Sequence, residues 1–165
     1  MSEILHNVHD LRLQADIRGE RLVVTSGGFD PMHVGHLRCL QESSDFVRKI
    51  GGKTRLVVIV NGDGFLLRKK GFAFMPESER MEIIAGVRGV DYVVPWDDGG
   101  QTVVGAIEVL KPFAFTKGGD RDAAANVPEF DVCERLGTKV IFGVGGGKIQ
   151  SSSELVAAIK DAKTR

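Results

Sequence analysis

The fold of this chain is decided by the stretch Ser26-Gly27-Gly28-Phe29-Asp30-Pro31-Met32-His33-Val34-Gly35-His36. An apolar run precedes it, a glycine pair and an Asp-Pro turn interrupt it, and an apolar helical pattern begins near His33. We therefore predict a strand, a tight turn and a helix. The first turn of a helix presents unpaired N–H groups and the positive end of the helix dipole, so this junction predicts an anion site.

Two histidines mark the junction. His33 and His36 lie three residues apart, which predicts both imidazoles on one helical face, and Gly35 leaves that face open to a bulky group. Such imidazoles can donate hydrogen bonds to a triphosphate and to the charge that develops during displacement. The alternatives are a zinc pair and a structural cap. Zinc requires further ligands, and the other histidines, His6 and His9, fall in the N-terminal segment, so phosphate chemistry is favoured.

Apolar runs alternate with helical patterns along the chain. The predicted strands cover residues 22–25, 56–60, 92–94, 113–116 and 140–142, and the predicted helices cover residues 34–50, 77–88, 102–110, 127–136 and 152–163. This alternation predicts right-handed βαβ units. The expected fold is one doubly wound α/β domain with a five-stranded parallel sheet over residues 21–165, preceded by an arm or helix over residues 1–20. Ligands should bind beyond the carboxyl ends of the strands.

The composition narrows the class of protein. The sequence has 165 residues, with 22 basic and 22 acidic side chains, and this balance argues against a nucleic-acid partner. No apolar run approaches the roughly 20 residues that a membrane span needs. We therefore expect a cytoplasmic location and no membrane partner. Cys39 and Cys133 lie far apart in apolar patterns and are expected to be small buried residues.

The stretch around the histidines resembles the motif of the cytidylyltransferase-like nucleotidyltransferase superfamily, which is known by its HxGH signature. The matching residues are Gly28, Phe29, Asp30, His33, Gly35 and His36. The resemblance implies a Rossmann-like fold, catalytic roles for the two histidines, and nucleotide binding by the other four positions. It continues along nearly the whole chain.

Two basic segments after the second predicted strand extend the resemblance. The run Arg68-Lys69-Lys70-Gly71 reads as a cationic loop, which by itself is usually only solvated. Family members carry a basic residue here that holds a phosphate, and the sequence leaves Lys69 and Lys70 both open. Arg80 opens the next helix, where it can pair with Glu77; the resemblance implies instead that it supports the nucleotide site.

Two glycine-rich segments complete the candidate site. The string Lys117-Gly118-Gly119-Asp120, followed by Pro128-Glu129, resembles that of the adenylyltransferases acting on heptose 1-phosphate, although a plain turn also explains it. The serines Ser151, Ser152 and Ser153 are expected to cap the last helix, and the resemblance implies that they bind the phosphates of the nucleotide. The preceding GVGGGK string does not meet the spacing of a P-loop.

These observations predict a nucleotidyltransferase. ATP is favoured as donor and a sugar phosphate as acceptor, with Mg²⁺ bridging phosphate oxygens and Asp30 or Asp120 as candidate ligands. The alternatives are a CTP-dependent enzyme for a polyol or amino-alcohol phosphate and a nucleotide sensor without turnover. A dinucleotide-dependent oxidoreductase is disfavoured because the first strand–helix turn lacks GxGxxG. Related enzymes often dimerise, so a homodimer is a further expectation.

Overall fold

The structure is a computed structural model that describes residues 1–119 and 127–163. Its helices and strands alternate along the chain. In order, they are β1 (Glu3–Ile4), α1 (Val8–Arg18), β2 (Arg21–Gly27), α2 (Val34–Ile50), β3 (Thr54–Asn61), α3 (Asp63–Lys70), α4 (Glu77–Ala85), β4 (Tyr92–Trp96), α5 (Val104–Leu110), β5 (Ala114–Gly118), α6 (Phe130–Leu136), β6 (Lys139–Val144) and α7 (Ser152–Lys163).

The strands form one parallel sheet in the order β1-β4-β3-β2-β5-β6. The sequence predicted five strands, and the structure adds a sixth within the described residues. The added strand is β1, which pairs Glu3 with Tyr92 and Ile4 with Val93 at the edge of the sheet. Two residues are too few to show the periodicity of a strand, so local pattern could not reveal it.

Residues 1–20 contribute to the same core as the rest of the chain. Asn7 caps α1 by accepting a hydrogen bond from the N–H of Asp10, and Gly19 ends the helix in the left-handed conformation. Leu11 and Ala15 of α1 are fully buried against the sheet. Burying a side chain the size of leucine contributes about 1.5–3 kcal/mol, so this segment adds to the stability of the domain.

The sheet is covered on both faces, as expected for parallel strands. Successive residues of β3 alternate between two apolar clusters: Val57 and Ile59 pack with α1, α5 and α6, whereas Val58 and Val60 pack with α2 and α4. No helix in the described part of the chain is long and apolar enough to cross a membrane.

The segment that was predicted as a cationic loop is helical. Residues Asp63–Lys70 form α3, which ends at Gly71 with a φ of 81°. Its buried side chains, Phe65 and Leu66, are adjacent in sequence rather than three or four residues apart. Without that spacing the helix carries no amphipathic signal, and the basic residues mask it further.

The order of strands fixes the position of the site. Strand β2 lies between β3 and β5, so the chain connections leave it towards opposite edges of the sheet. A crevice forms at such a switch point, beyond the carboxyl ends of the strands. The Gly-rich junction after β2 and the end of β5, which carries Lys117, meet at this crevice.

Candidate active site

A cleft of about 380 Å³ lies at the switch point. Its walls come from the segments that follow the strands and from the start of α7. The predicted site residues that line it are Gly28, Phe29, His33, Gly35, His36, Lys69, Lys70, Lys117, Gly118, Gly119, Ser151, Ser152 and Ser153. Asp120 falls outside the described residues. The structure thus brings together nearly all of the positions chosen from the sequence.

The two histidines form a stacked pair, with ring centroids 3.8 Å apart and an interplanar angle of 24°. The sequence predicted both on the face of the helix, and the structure corrects this: His33 is the N-cap of α2, and only His36 lies within the helix. The backbone N–H of Gly35 donates to His33 Nδ1 at 3.1 Å, and that of His33 donates to His36 Nδ1 at 3.3 Å. Each neutral ring therefore carries its proton on Nε2, which is left for a ligand.

The electrostatic surroundings keep these rings neutral. Burial, aided by the neighbouring His33 and Lys70, lowers the pKa of His36 from 6.5 to about 3. Burial and Lys70 also lower the pKa of His33. At neutral pH the pair consists of two N–H donors without net charge. Such donors suit phosphate oxygens whose charge rises during a displacement.

Close packing explains the small and aromatic residues around the pair. Phe29 contacts His36 edge to face at 5.1 Å and holds a positive φ of 52°. A Cβ on Gly28 would lie 2.8 Å from Leu66 Cδ2, and one on Gly35 would lie 2.9 Å from His33 Cε1. A larger residue at either glycine would displace the histidine pair or the wall of the cleft.

Asp30 and Arg80 lie beneath the cleft and are not among the residues that line it. Asp30 is fully buried, and its two oxygens accept hydrogen bonds from the N–H groups of Phe74 and Met75, at 2.6 and 2.7 Å. Its oxygens are thus engaged by backbone donors, which argues against Asp30 as a metal ligand.

Arg80 is also fully buried. Its guanidinium donates to the carbonyls of Gly28 and Asn61, at 2.7 and 2.6 Å, and to that of Met75 at 2.9 Å. It also donates to Asp63 Oδ1 at 2.6 Å. Arg80 therefore fixes the backbone at the ends of β2 and β3 and supports the site from below, while Glu77 is not its ion-pair partner.

The two candidate lysines stand on the last turn of α3. Lys70 is half-buried, and burial lowers the pKa of its ammonium group while the facing Asp30 carboxylate raises it. Lys69 is exposed, with Nζ 5.5 Å from the ring of Phe65. Both lysines line the cleft, and the charge of Lys70 helps to lower the pKa of both histidines.

Lys117 forms a second cationic point in the cleft. Its Nζ donates to Ser26 Oγ at 3.2 Å and lies 3.9 Å from Glu129 Oε2. The following Gly118 is required by close approach, because a Cβ there would lie 2.8 Å from the carbonyl oxygen of Val144. Glu129 also lines the cleft but was not among the predicted site residues, although it belongs to the Pro128-Glu129 pair that follows the glycine-rich segment. Val103 and Asn61 line the cleft as well, and no motif in the sequence indicated them.

The serines at the start of α7 divide their tasks. Ser151 Oγ accepts from the N–H of Glu154 at 3.1 Å, and Glu154 Oε2 accepts from the N–H of Ser151 at 3.2 Å, which is a capping box. Ser152 is buried, and its hydroxyl donates to the carbonyl of Pro31 at 2.8 Å. Ser151 alone therefore caps the helix by its side chain, whereas Ser152 ties α7 to the junction after β2.

Fold and site together define an α/β domain with a cleft at the switch point of its parallel sheet, lined by a histidine pair and by the start of a helix. The chain belongs to the cytidylyltransferase-like family, whose model matches residues 24–143. The resemblance drawn from the HxGH motif is thereby confirmed.

Curated relatives agree with this family. The chain is 40% identical to the bifunctional protein HldE of Alkalilimnicola ehrlichii over 121 residues, which are 72% of this chain and 23% of the relative. It is 36% identical to the bifunctional protein HldE of Methylococcus capsulatus over 146 residues, which are 87% of this chain and 29% of the relative. The chain thus spans about a quarter of the length of these relatives.

A solved structure is also similar. It is described as a lipopolysaccharide core biosynthesis protein from Thermoplasma volcanium and is 26% identical, with a TM-score of 0.56. The match covers 79% of this chain and 97% of that protein. This similarity supports a Rossmann-like arrangement of the sheet and helices.

Proposed function

We propose that this chain transfers the adenylyl group of ATP to a phosphorylated sugar and releases pyrophosphate. The observation that carries the proposal is the stacked, neutral histidine pair, whose Nε2–H groups remain for a ligand beside Lys70 and the start of α7. The choice of ATP and a sugar phosphate rests on the KGGD string at residues 117–120 and on the relatives named above.

The proposed reaction requires no general base, because the attacking phosphate is already ionised. An oxygen of the sugar phosphate attacks the α-phosphorus of ATP, the bond from that phosphorus to the bridging oxygen breaks, and pyrophosphate leaves. The second pKa of a phosphate monoester is about 6, so the attacking group is largely dianionic at neutral pH. The protein then contributes positioning and stabilisation of charge.

The site residues divide this work. His33 and His36 donate from Nε2 to the phosphate oxygens around the reacting phosphorus, where charge accumulates. Lys69, Lys70 and Lys117 offset the charge of the nucleotide and the acceptor. The N–H groups at Ser151–Ser153 face the outer phosphates, in keeping with the anion preference of a helix start.

Mg²⁺ would reduce the negative charge of the triphosphate when bound with it. The described residues contain no group of three carboxylate, imidazole or thiol side chains that could hold a metal ion alone. Phosphate oxygens are therefore its main ligands in this proposal, since Mg²⁺ commonly binds through substrate phosphates and one or two carboxylates. Asp120 is the remaining candidate from the chain.

A pyrophosphate-release screen tests the proposal. ATP, CTP, GTP and UTP are each combined with Mg²⁺ and with a panel of sugar 1-phosphates, polyol phosphates and amino-alcohol phosphates. We expect release with ATP and at least one sugar 1-phosphate. Release with CTP and a polyol phosphate would replace the acceptor and base assigned here, and nucleotide binding without release from any pair would indicate a sensor.

A further inference from the structure

One corner of the cleft lies on the sheet face opposite the histidines. Val24 and Phe115 pack with α1, α5 and α6, so Ser26 and Lys117, two residues further along the same strands, point to that face. Helix α2, which carries His36, packs on the other face. The cleft therefore has a histidine wall and a second wall around Lys117.

The second wall contains a carboxylate with an unused acceptor. Glu129 is only 4% exposed, and its Oε1 accepts from the N–H of Val103 at 3.2 Å. Its Oε2 is buried and accepts no hydrogen bond from any residue in the described ranges 1–119 and 127–163. The nearest cation, Lys117 Nζ, is 3.9 Å away, beyond hydrogen-bonding distance. Buried acceptors are normally satisfied, so Oε2 indicates a donor supplied from the cleft.

Charge limits what that donor can be. A phosphate group would be repelled by the carboxylate, and the ammonium group of Lys117 beside it disfavours a metal cation. An uncharged donor with a hydroxyl group fits both constraints. Each substrate of the proposed reaction carries such groups on a sugar ring.

We propose that Glu129 Oε2 accepts a hydrogen bond from a sugar hydroxyl of a bound substrate and so acts as a specificity residue of the cleft. This inference rests on the proposed function and adds to it the recognition of a hydroxylated ring on the wall opposite the histidines. The hydroxyl belongs either to the ribose of the nucleotide or to the acceptor sugar. In both cases a hydroxyl group donates to the carboxylate, and the two experiments below distinguish the ribose from the acceptor sugar.

The ribose is tested by calorimetric titration of the full chain with Mg²⁺ and ATP, 2′-deoxy-ATP or 3′-deoxy-ATP. If the ribose is the source, the parent binds one deoxynucleotide roughly 10- to 100-fold more weakly than ATP, as for a lost hydrogen bond to a charged group. Glu129→Gln keeps the side-chain volume, and because the N–H of Val103 holds the amide oxygen, an NH2 donor replaces the Oε2 acceptor. The ratio of the two affinities should therefore approach one. The substitution can also change how strongly Lys117 attracts the phosphates, but this change affects both nucleotides equally and cancels in the ratio of their affinities.

The acceptor sugar is tested by steady-state kinetics with the sugar 1-phosphate that shows the highest turnover in the screen. If this sugar is the source, Glu129→Gln raises its KM roughly 10- to 100-fold while the nucleotide ratio stays that of the parent. Glu134→Gln is the control, because Glu134 is exposed on α6, the helix that follows Glu129, and its substitution removes the same charge. Glu129→Asp withdraws the carboxylate without changing its charge and should match Glu129→Gln.

The outcomes separate this inference from the proposed function. If the parent binds ATP and both deoxynucleotides equally and Glu129→Gln leaves the KM of the sugar unchanged, Glu129 is only a counter-ion for Lys117 and the inference is wrong. The deoxynucleotide series on the parent needs no variant and decides the ribose source even if the substitutions prevent folding. A parent chain that binds no nucleotide would instead overturn the proposed function.

Discussion

At the scale of single residues, the site depends on which nitrogen of each histidine is occupied. Backbone N–H groups take Nδ1 of both His33 and His36, so neither ring can turn without losing a hydrogen bond. Burial lowers the pKa of both rings, so they stay neutral over a pH range in which an exposed histidine would be charged. The pair consequently consists of fixed, neutral hydrogen-bond donors. Substitution of a ring should therefore lower catalysis, whereas a change of pH near neutrality should not change the charge of the pair.

Replacement of His36 by alanine should lower kcat by roughly 10²–10³, the scale observed when one donor to a transition state is removed. The measurement is pyrophosphate release at saturating substrates, with circular dichroism to confirm folding. His9→Ala is the control, because His9 is exposed on α1. Turnover of the His36 variant within a few-fold of the parent would rule out the catalytic role.

The low pKa of His36 also predicts a dependence of stability on pH. The folded ring binds a proton only near pH 3, whereas the unfolded ring binds one below about 6.5, so the unfolded state binds more protons between these values. The free energy of unfolding should therefore fall as the pH is lowered from 6.5 towards 3, and His36 contributes no slope above that window. His33, whose pKa is also lowered, acts in the same direction.

Urea unfolding of the parent and of His36→Asn between pH 7 and pH 4.5 measures this slope. The parent should lose stability more steeply than the variant, by at most about 1.4 kcal/mol per pH unit for one proton. The carboxylates common to both chains cancel in the comparison. Parallel curves for parent and His36→Asn would contradict the low pKa.

At the scale of elements, the site is held by contacts between segments that are remote in sequence. Asp30 joins the junction after β2 to residues 74 and 75, and Arg80 joins the same junction to the end of β3. Ser152 joins it to the start of α7, 121 residues further along the chain. These links set the spacing between the histidine pair and the start of α7.

Ser152→Ala should weaken ATP binding by roughly 2- to 10-fold, because one hydrogen bond worth about 0.5–1.5 kcal/mol no longer holds α7 to Pro31. Ser151→Ala instead removes the cap and should lower the free energy of unfolding by about 1 kcal/mol. Calorimetric titration and urea unfolding of both variants measure the two effects. Unchanged ATP affinity in Ser152→Ala would mean that this bond is only structural.

At the scale of the whole molecule, the cleft joins two walls that belong to opposite faces of one sheet. In the proposed reaction the histidine wall contacts the phosphates, and the wall around Lys117 and Glu129 contacts the remainder of the ligands. A ligand that fills the cleft should therefore stabilise the entire domain, since it connects helices from both faces.

ATP with Mg²⁺ should raise the melting temperature more than CTP with Mg²⁺. At about 100 times Kd, binding adds about 2.7 kcal/mol, which for a domain of this size corresponds to a rise of about 5–11 °C. A pocket built for a two-ring base leaves a polar group unpaired with the wrong base, at about 1–3 kcal/mol. Thermal unfolding with each triphosphate measures the difference. A larger rise with CTP would overturn the preference for ATP while leaving the histidine site unchanged.

The alternation of strands and helices, the histidine junction and the segments that line the cleft were all predicted from the sequence. They depend on local spacing, turn chemistry and a motif within eleven consecutive residues, 26–36. The sequence also indicated the helix start at Ser151–Ser153, because capping is decided within one turn. The basic segment ending at Lys70 was located correctly and given the wrong structure, since α3 has no amphipathic period.

Only the tertiary structure decided which polar residues face the cleft and which lie beneath it. Asp30 and Arg80 belong to the motifs, yet folding buries both against backbone groups from distant segments. Conversely, Glu129, the residue before α6, comes within 3.9 Å of Lys117 in β5 only in the folded chain. Side-chain type and local spacing determine which element forms, whereas the partner of a buried charge is determined by residues that come together only when the sheet is assembled.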